Sequence, residues 1–257
     1  MPPETRFLQA PDIRELAERT GVNPSKSKGQ NFVIDANTVR KIVSLSGAQP
    51  GEHVLEVGPG FGSLTVGLVG AGCQVTAIEI DSRLAAELPS VIGQRAPGGV
   101  FDVIEADALR VESVPEDVVS LVANLPYNVA VPVLIHLLEI HPGFRRVLVM
   151  VQAEVGWRLA APPGSEHYGA PSVKVAWWGQ WAVESSISRR VSGQNLASTR
   201  CWSGCIGANL RGASCFDGEY LTLLTRVSAP VERCPDRLSP KSLGPPLSPA
   251  RRLSGQV

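Results

Sequence analysis

His53-Val54-Leu55-Glu56-Val57-Gly58-Pro59-Gly60-Phe61-Gly62 is the stretch from which the fold is read. A short run rich in β-branched residues enters a glycine turn directly, and a helix-forming segment follows from Ser63 to Val69. Strand, glycine turn and helix in that order bring backbone N–H groups close to a bound ligand. The spacing is G-x-G-x-G. The dinucleotide fingerprint needs its third glycine at position 63, where Ser63 stands, so a pyrophosphate-binding role is disfavoured.

Working outward, a second strand covers Val75 to Ile78 and ends on Glu79, about 20 residues after the glycine turn, where the nucleotide-binding pattern expects an acid. A carboxylate at that tip is placed to accept hydrogen bonds from both hydroxyls of a ribose. Asp81 to Leu88 reads as a helix and Phe101 to Glu105 as a third strand, with Asp107 just past its end. The mostly apolar run Val118–Ala123 reads as a buried fourth strand. A helix over Val131–Glu139, a fifth strand over Arg146–Val151, a helix from Ala153 to Ala160 and a sixth strand over Ser172–Trp178 complete the alternation. Such alternation implies a mostly parallel sheet with helices on both faces. Upstream, Ile13, Leu16 and Ala17 mark an amphipathic helix from Pro11 to Arg19, stopped by Gly21. Asp35 is the expected N-cap of a helix through Val39, Ile42 and Val43 to Gly47. Lys26 and Lys28, in the polar loop between these helices, could meet phosphates, although two loop lysines ordinarily just face solvent.

Asn124-Leu125-Pro126-Tyr127 follows the fourth strand, at the carboxyl edge where open α/β sheets bind ligands. Asn124 offers an amide donor and a carbonyl acceptor. Pro126 biases Leu125 toward an extended conformation, which aims the Leu125 carbonyl. Tyr127 adds a face on which a base can stack. Two acceptors beside a ring suit the exocyclic amine of a planar heterocycle. Taken alone, N-x-P-Y is better explained by a polar turn, so its reading depends on the rest of the chain.

The totals set outer bounds. The chain's 257 residues suffice for one large α/β domain, or one domain with a smaller companion. No apolar run approaches the roughly 18 residues of a membrane span, and Met1–Ala10 lacks the apolar core of a secretory signal. Formal net charge is zero, which neither supports nor excludes a nucleic-acid partner. Of five cysteines, Cys201, Cys205, Cys215 and Cys234 crowd the last quarter. Their spacings fit no common zinc knuckle, and neither a disulfide framework nor a metal site is expected.

Gln30-Asn31-Phe32, Glu56-Val57-Gly58-Pro59-Gly60, Glu79-Ile80-Asp81, Asn124-Leu125-Pro126-Tyr127-Asn128 and Val151-Gln152-x-Glu154-Val155 stand in an order that resembles the rRNA adenine N6,N6-dimethyltransferases, in particular the bacterial small-subunit (16S) branch. The resemblance covers about Arg14 to Val191. It implies a class I S-adenosylmethionine-dependent methyltransferase fold, Rossmann-like with a mostly parallel sheet. It implies S-adenosyl-L-methionine held by Asn31, Val33, Gly58, Glu79, Asp107 and Asn124. It further implies a target adenine flipped out of its RNA, stacked on Tyr127 and gripped through its amino group by Asn124 and the Leu125 carbonyl, with Pro126 holding the turn. The expected activity is dimethylation of N6 on adjacent adenines near the 3′ end of 16S rRNA in the immature small subunit, by a cytoplasmic monomer without a membrane anchor. Two rivals stay open: a non-catalytic RNA-binding or ribosome-assembly factor on this fold, and an inactive product of a damaged gene.

Beyond Val191 the resemblance stops. The family pattern F-x-P-x-P-x-V-D-S, a seventh strand and a basic helical domain are all missing from the sequence. Regrouping plausible codons for the run from Ser192 to Ser203 one base earlier can give F-W-P-K-P-G-V-D-S-V-L-V, so residues 192–257 are expected to be an out-of-frame, largely disordered tail. Residues 1–191 would then form an incomplete methyltransferase domain lacking its last strand. That strand should lie between the fifth and sixth, whose edges would stand unpaired. Glu219–Val227 has enough β character to fill the slot by accident. Gly156-Trp157 also departs from the family's small and charged residues, which weakens that helix slightly.

Overall fold

A computed structural model describes residues 4–22, 35–125, 129–187 and 203–209. Its elements in chain order are α1 (Ala10–Thr20), α2 (Ala36–Ser46), β1 (His53–Val57), α3 (Ser63–Gly70), β2 (Gln74–Glu79), α4 (Ser82–Arg95), β3 (Phe101–Glu105), β4 (Val118–Asn124), α5 (Ala130–Ile140), β5 (Arg146–Gln152), α6 (Ala153–Leu159), α7 (Ala170–Ala176), β6 (Gln180–Ile187) and β7 (Ser203–Asn209). Local signals set the helix ends. Gly21 and Gly47 close α1 and α2 in the left-handed region. Asp35 caps α2 by accepting from the Thr38 N–H at 2.7 Å, and Asp81 caps α4 through the Arg83 N–H at 3.1 Å.

The strands form one sheet in the order β3-β2-β1-β4-β5-β7-β6. Pairs β1·β2, β2·β3, β1·β4 and β4·β5 are parallel, as the alternation requires. The chain reverses its direction of travel across the sheet between β1 and β4, and an open α/β sheet forms its ligand crevice at such a switch point. Side-chain parity splits the strands between two cores. Leu55, Leu121 and Val149 join Leu134 and Leu137 of α5 on one face. Val54, Val122 and Leu148 join Val39 and Ile42 of α2 and Val66 and Leu68 of α3 on the other. A Cβ on Gly67 would lie 2.4 Å from Val39 Cγ1, so a glycine is what lets α3 approach α2. Outside these layers, Arg95–Asp12 at 2.8 Å and Arg19–Glu87 tie α1 to α4.

Two expectations are corrected. Ser172–Trp178 is not a strand: Ala170–Ala176 is helical. Pro171 sits in the first turn, Ser172 and Val175 are buried three residues apart, and Val173 and Trp177 point outward. That is a helical period, and the sixth strand begins only at Gln180. Nor is the slot beside β5 empty. β7 pairs antiparallel with β5 from Arg146↔Asn209 to Gln152↔Ser203, and with β6 from Gln180↔Asn209 to Ile187↔Ser203. Ladder hydrogen bonds use backbone groups alone, so two unpaired edges accept a strand whatever its side chains. The filler considered from the sequence, Glu219–Val227, lies outside the described residues. All described residues fall in one compact unit, Met1–Arg226.

Candidate active site

The carboxyl ends of β1, β2, β3 and β4 gather most of the residues singled out from the sequence. Gly58, Gly60 and Gly62 take φ of 66°, 60° and 87°, values that a side chain would strain. The Gly58 N–H donates to the Ile78 carbonyl at 2.9 Å, which folds the turn back over β2. A Cβ on Gly58 would come within 3.9 Å of the Asn124 carbonyl oxygen, so the turn after β1 and the end of β4 face each other across the switch point.

Glu79 is buried, and two backbone groups anchor it. The Gly60 N–H donates to Oε2 at 3.1 Å and the Asp81 N–H to Oε1 at 3.0 Å. Burial raises its pKa, these N–H groups and that of Ile80 pull it back, and the charge of Asp81 raises it. Three N–H donors leave the carboxylate room for a further donor. The Ala106 N–H donates to the Glu79 carbonyl at 3.0 Å, which sets Asp107 on the adjoining strand end. Asp107 Oδ1 accepts from the Leu109 N–H at 2.9 Å, and Oδ2 lies 3.7 Å from Arg110 Nε. At β4, Leu125 is buried and its N–H donates to the Met150 carbonyl at 3.1 Å. Asn31, Val33, Pro126 and Tyr127 lie outside the described residues.

Three neighbours were not singled out for this edge. Glu56 faces α3 from a strand whose five residues are all buried. Neither its Oε2 nor Thr65 Oγ1 has a hydrogen-bond partner among the described residues. Burial pushes its carboxyl up to about 8, the nearby Thr65 hydroxyl pulls it back in part, and the charge of Glu79 pushes it up again. Gly60 does more than turn the chain, since its N–H holds Glu79. Ile80 is 68% exposed between two acids, an apolar surface that a ligand's ring can cover. A charged residue inside an apolar strand was the available signal for Glu56. No comparable signal marked Ile80. Among the described residues, no group of three or more His, Cys, Asp or Glu could hold a metal ion.

Residues 22–190 match the family model described as ribosomal RNA adenine dimethylase. The chain is 58% identical over 190 residues to the ribosomal RNA small subunit methyltransferase A of Leifsonia xyli subsp. xyli, covering 73% of this chain and 68% of that protein. Against the protein of that name from Streptomyces coelicolor it is 52% identical over 193 residues, covering 74% and 68%. For the one from an Arthrobacter species the figures are 56% over 184 residues, covering 71% and 62%. The chain thus spans about two thirds of the length of these curated relatives. Among solved structures, the 23S rRNA methyltransferase ErmE superposes with a TM-score of 0.60 at 26% identity, over 73% of each chain. A dimethyladenosine transferase from Plasmodium falciparum gives 0.61 at 23% identity, over 70% of this chain and 63% of that one, a likeness of fold.

Proposed function

Because the chain belongs to the ribosomal RNA adenine dimethylase family, we propose that it transfers methyl groups from S-adenosyl-L-methionine to the N6 amino group of adenine in ribosomal RNA, twice at each acceptor. The substrate is 16S rRNA in the immature small subunit, at adjacent adenines near the 3′ end. The observation that carries this reading is the approach of Gly58 to Asn124 across the switch point, with Glu79 anchored beside them.

The residues fit the cofactor. The positive-φ turn leaves backbone room that a side chain would fill, and Glu79 has lone pairs to spare. Glu79 would take the ribose hydroxyls, Asp107 the exocyclic amine of the cofactor's own adenine, and Ile80 would cover a ring face. Gly58, Asn31, Val33 and Asn124 would complete the cradle. When bound, the cofactor supplies an electrophilic methyl group on a positively charged sulfur. What remains falls to this chain. An adenine amino nitrogen is a poor nucleophile because its lone pair is delocalised into the ring. In the first transfer Asn124 and the Leu125 carbonyl, each accepting one amine hydrogen, favour the pyramidal form and free the lone pair. In the second only one N–H remains for them to hold, and each transfer releases one amine proton. Tyr127 holds the flipped base by stacking, and Pro126 keeps the Leu125 carbonyl aimed. Catalysis is therefore positioning and electrostatics, without a metal or a covalent nucleophile.

The rest of the assignment has separate supports. No helix among the described residues is long and apolar enough to cross a membrane; we place the chain in the cytoplasm as a monomer. We also propose that residues 192–257 are an out-of-frame tail; the family match ending at residue 190, ahead of β7, supports this reading. Reading the gene around codon 191 tests this, and a nucleotide alignment with its relatives that stays in frame with no insertion or deletion there refutes it.

Methyl transfer from radiolabelled S-adenosylmethionine to undermethylated small subunits tests the activity. Label should appear in N6,N6-dimethyladenine, and Asn124→Ala should lower the rate by about two orders of magnitude or more. Cofactor binding without transfer would favour the non-catalytic RNA-binding factor, and absence of both the inactive product.

A further inference from the structure

α6 starts where β5 ends, on the edge that carries Asn124, whose register partner is Met150. Trp157 stands one turn into α6. Two strand residues at about 3.3 Å and five helical ones at about 1.5 Å put it some 14 Å along the chain from Met150, within reach of RNA that enters the site. Its side chain is 45% exposed although α6 buries Val155 and Leu159. The His167 ring lies against it, with centroids 5.5 Å apart and planes inclined by 17°. Tyr168, the next residue, is also exposed.

The loop that carries His167 and Tyr168 is pinned at several points. Ser165 Oγ donates to the Pro162 carbonyl at 2.9 Å, and the Tyr168 N–H to the Ser165 carbonyl at 3.1 Å. The Gly169 N–H donates to Ser172 Oγ at 3.1 Å, and that hydroxyl donates to the Arg158 carbonyl at 2.5 Å. A chain that fixes a loop this firmly holds the ring against Trp157 at no further entropic cost to a ligand. The charges around the rings are mixed. Arg158 and Lys174 are exposed, and so are Glu154 and Glu166. Such a surface does not make a phosphate track, since a backbone groove needs an excess of cations. It suits a flat partner that stacks.

We propose that Trp157, backed by His167 and flanked by Tyr168 and Arg158, is a stacking platform for an unpaired RNA base next to the target adenine. The inference rests on the RNA-methylating reading of the adjoining site. An aromatic face binds any base, so the platform holds the strand and leaves the choice of target to Asn124 and its neighbours.

The test uses the full chain, a fluorescently labelled single-stranded RNA containing adenosines, and anisotropy at two salt concentrations. Trp157→Ala should weaken binding about tenfold, in line with the loss of one base–aromatic stack. The ratio of variant to wild-type Kd should be the same at both salt concentrations, because stacking releases no counterions. Trp157→Phe should restore most of the affinity. His167→Ala, a change in the exposed loop, should weaken binding in the same direction even if Trp157→Ala fails to fold. Cofactor affinity, read by calorimetry, should be unchanged in every variant. Wild-type affinity in Trp157→Ala and His167→Ala overturns the platform and leaves the methyltransferase reading standing. A wild-type chain that binds cofactor but not this RNA overturns the platform too. A wild-type chain that binds no cofactor sinks the underlying reading instead. Self-association in sedimentation that Trp157→Ala abolishes would make this face an interface between copies and also refute the proposal.

Discussion

Replacing Glu56 with Gln tests the electrostatics beneath the glycine turn. The wild-type carboxyl, 1% exposed and pushed up to about 8, keeps in the folded state a proton that the unfolded chain releases near 4.5. A raised carboxylate pKa means that the folded state binds more protons than the unfolded one between those values, so stability falls as pH rises through that window and levels off above it. At about 1.36 kcal/mol per tenfold change in proton activity, the folded state forfeits about 2 kcal/mol at pH 6 and about 5 kcal/mol at pH 9. Gln has nearly the same shape and no titration. The wild type should therefore lose about 3 kcal/mol more than Glu56→Gln on going from pH 6 to pH 9. Glu79 and Cys73, both raised by burial, titrate in both proteins and largely cancel from the difference. Urea denaturation of the two proteins at four pH values, without cofactor, measures this directly. Parallel pH profiles would show that Glu56 is not held protonated, and the account of its burial would be wrong.

Two further perturbations probe other parts of the fold. Gly67→Ala gains helix propensity of up to about 1 kcal/mol, but its methyl would lie 2.4 Å from Val39 Cγ1 and 3.1 Å from Val43 Cγ2. Both neighbours are stiff β-branched side chains, so overpacking should win and lower stability by about 1–2 kcal/mol in thermal denaturation. At the opposite edge, His53 Nε2 lies 2.8 Å from Thr76 Oγ1 and Nδ1 2.9 Å from Asp117, whose carboxyl the imidazole holds below its ordinary range. A depressed carboxylate adds stability that is present above its unfolded pKa and lost as pH falls through the folded one. Asp117→Asn should flatten the melting-temperature profile on the acid side, below about pH 4, and leave the cofactor edge unaffected.

How much of this was legible in the sequence depended on the kind of signal. β1 and β3 have the bounds read from the sequence, His53–Val57 and Phe101–Glu105, because Gly58 and Ala106-Asp107 mark changes that the backbone must respect. The positions of Glu79 and Asp107 followed from parallel topology, since parallel strands put every carboxyl end on one edge, and for Glu79 also from its spacing after the glycine turn. Ser172–Trp178 misled because alternating small and β-branched residues imitate a strand, while Gly169 and Pro171 just upstream favoured a helix start. The strand beside β5 was not legible, because pairing made by backbone groups leaves little trace in side chains. The protonation of Glu56 needed three dimensions, since it comes from the α3 layer closing over β1 and from Glu79 on the neighbouring strand.

Calorimetric titration of S-adenosylmethionine into the wild-type chain and into Glu79→Gln bears most directly on the strand-end cradle. The wild type should bind one molecule per chain. In the variant a side-chain NH2 would face the Gly60 or Asp81 N–H that the carboxylate now accepts, and the charged acceptor is lost. Affinity should fall by roughly tenfold to a hundredfold, as losing charge-assisted hydrogen bonds implies. No heat of binding with the wild type, or equal affinity in both proteins, would contradict the assignment of this edge.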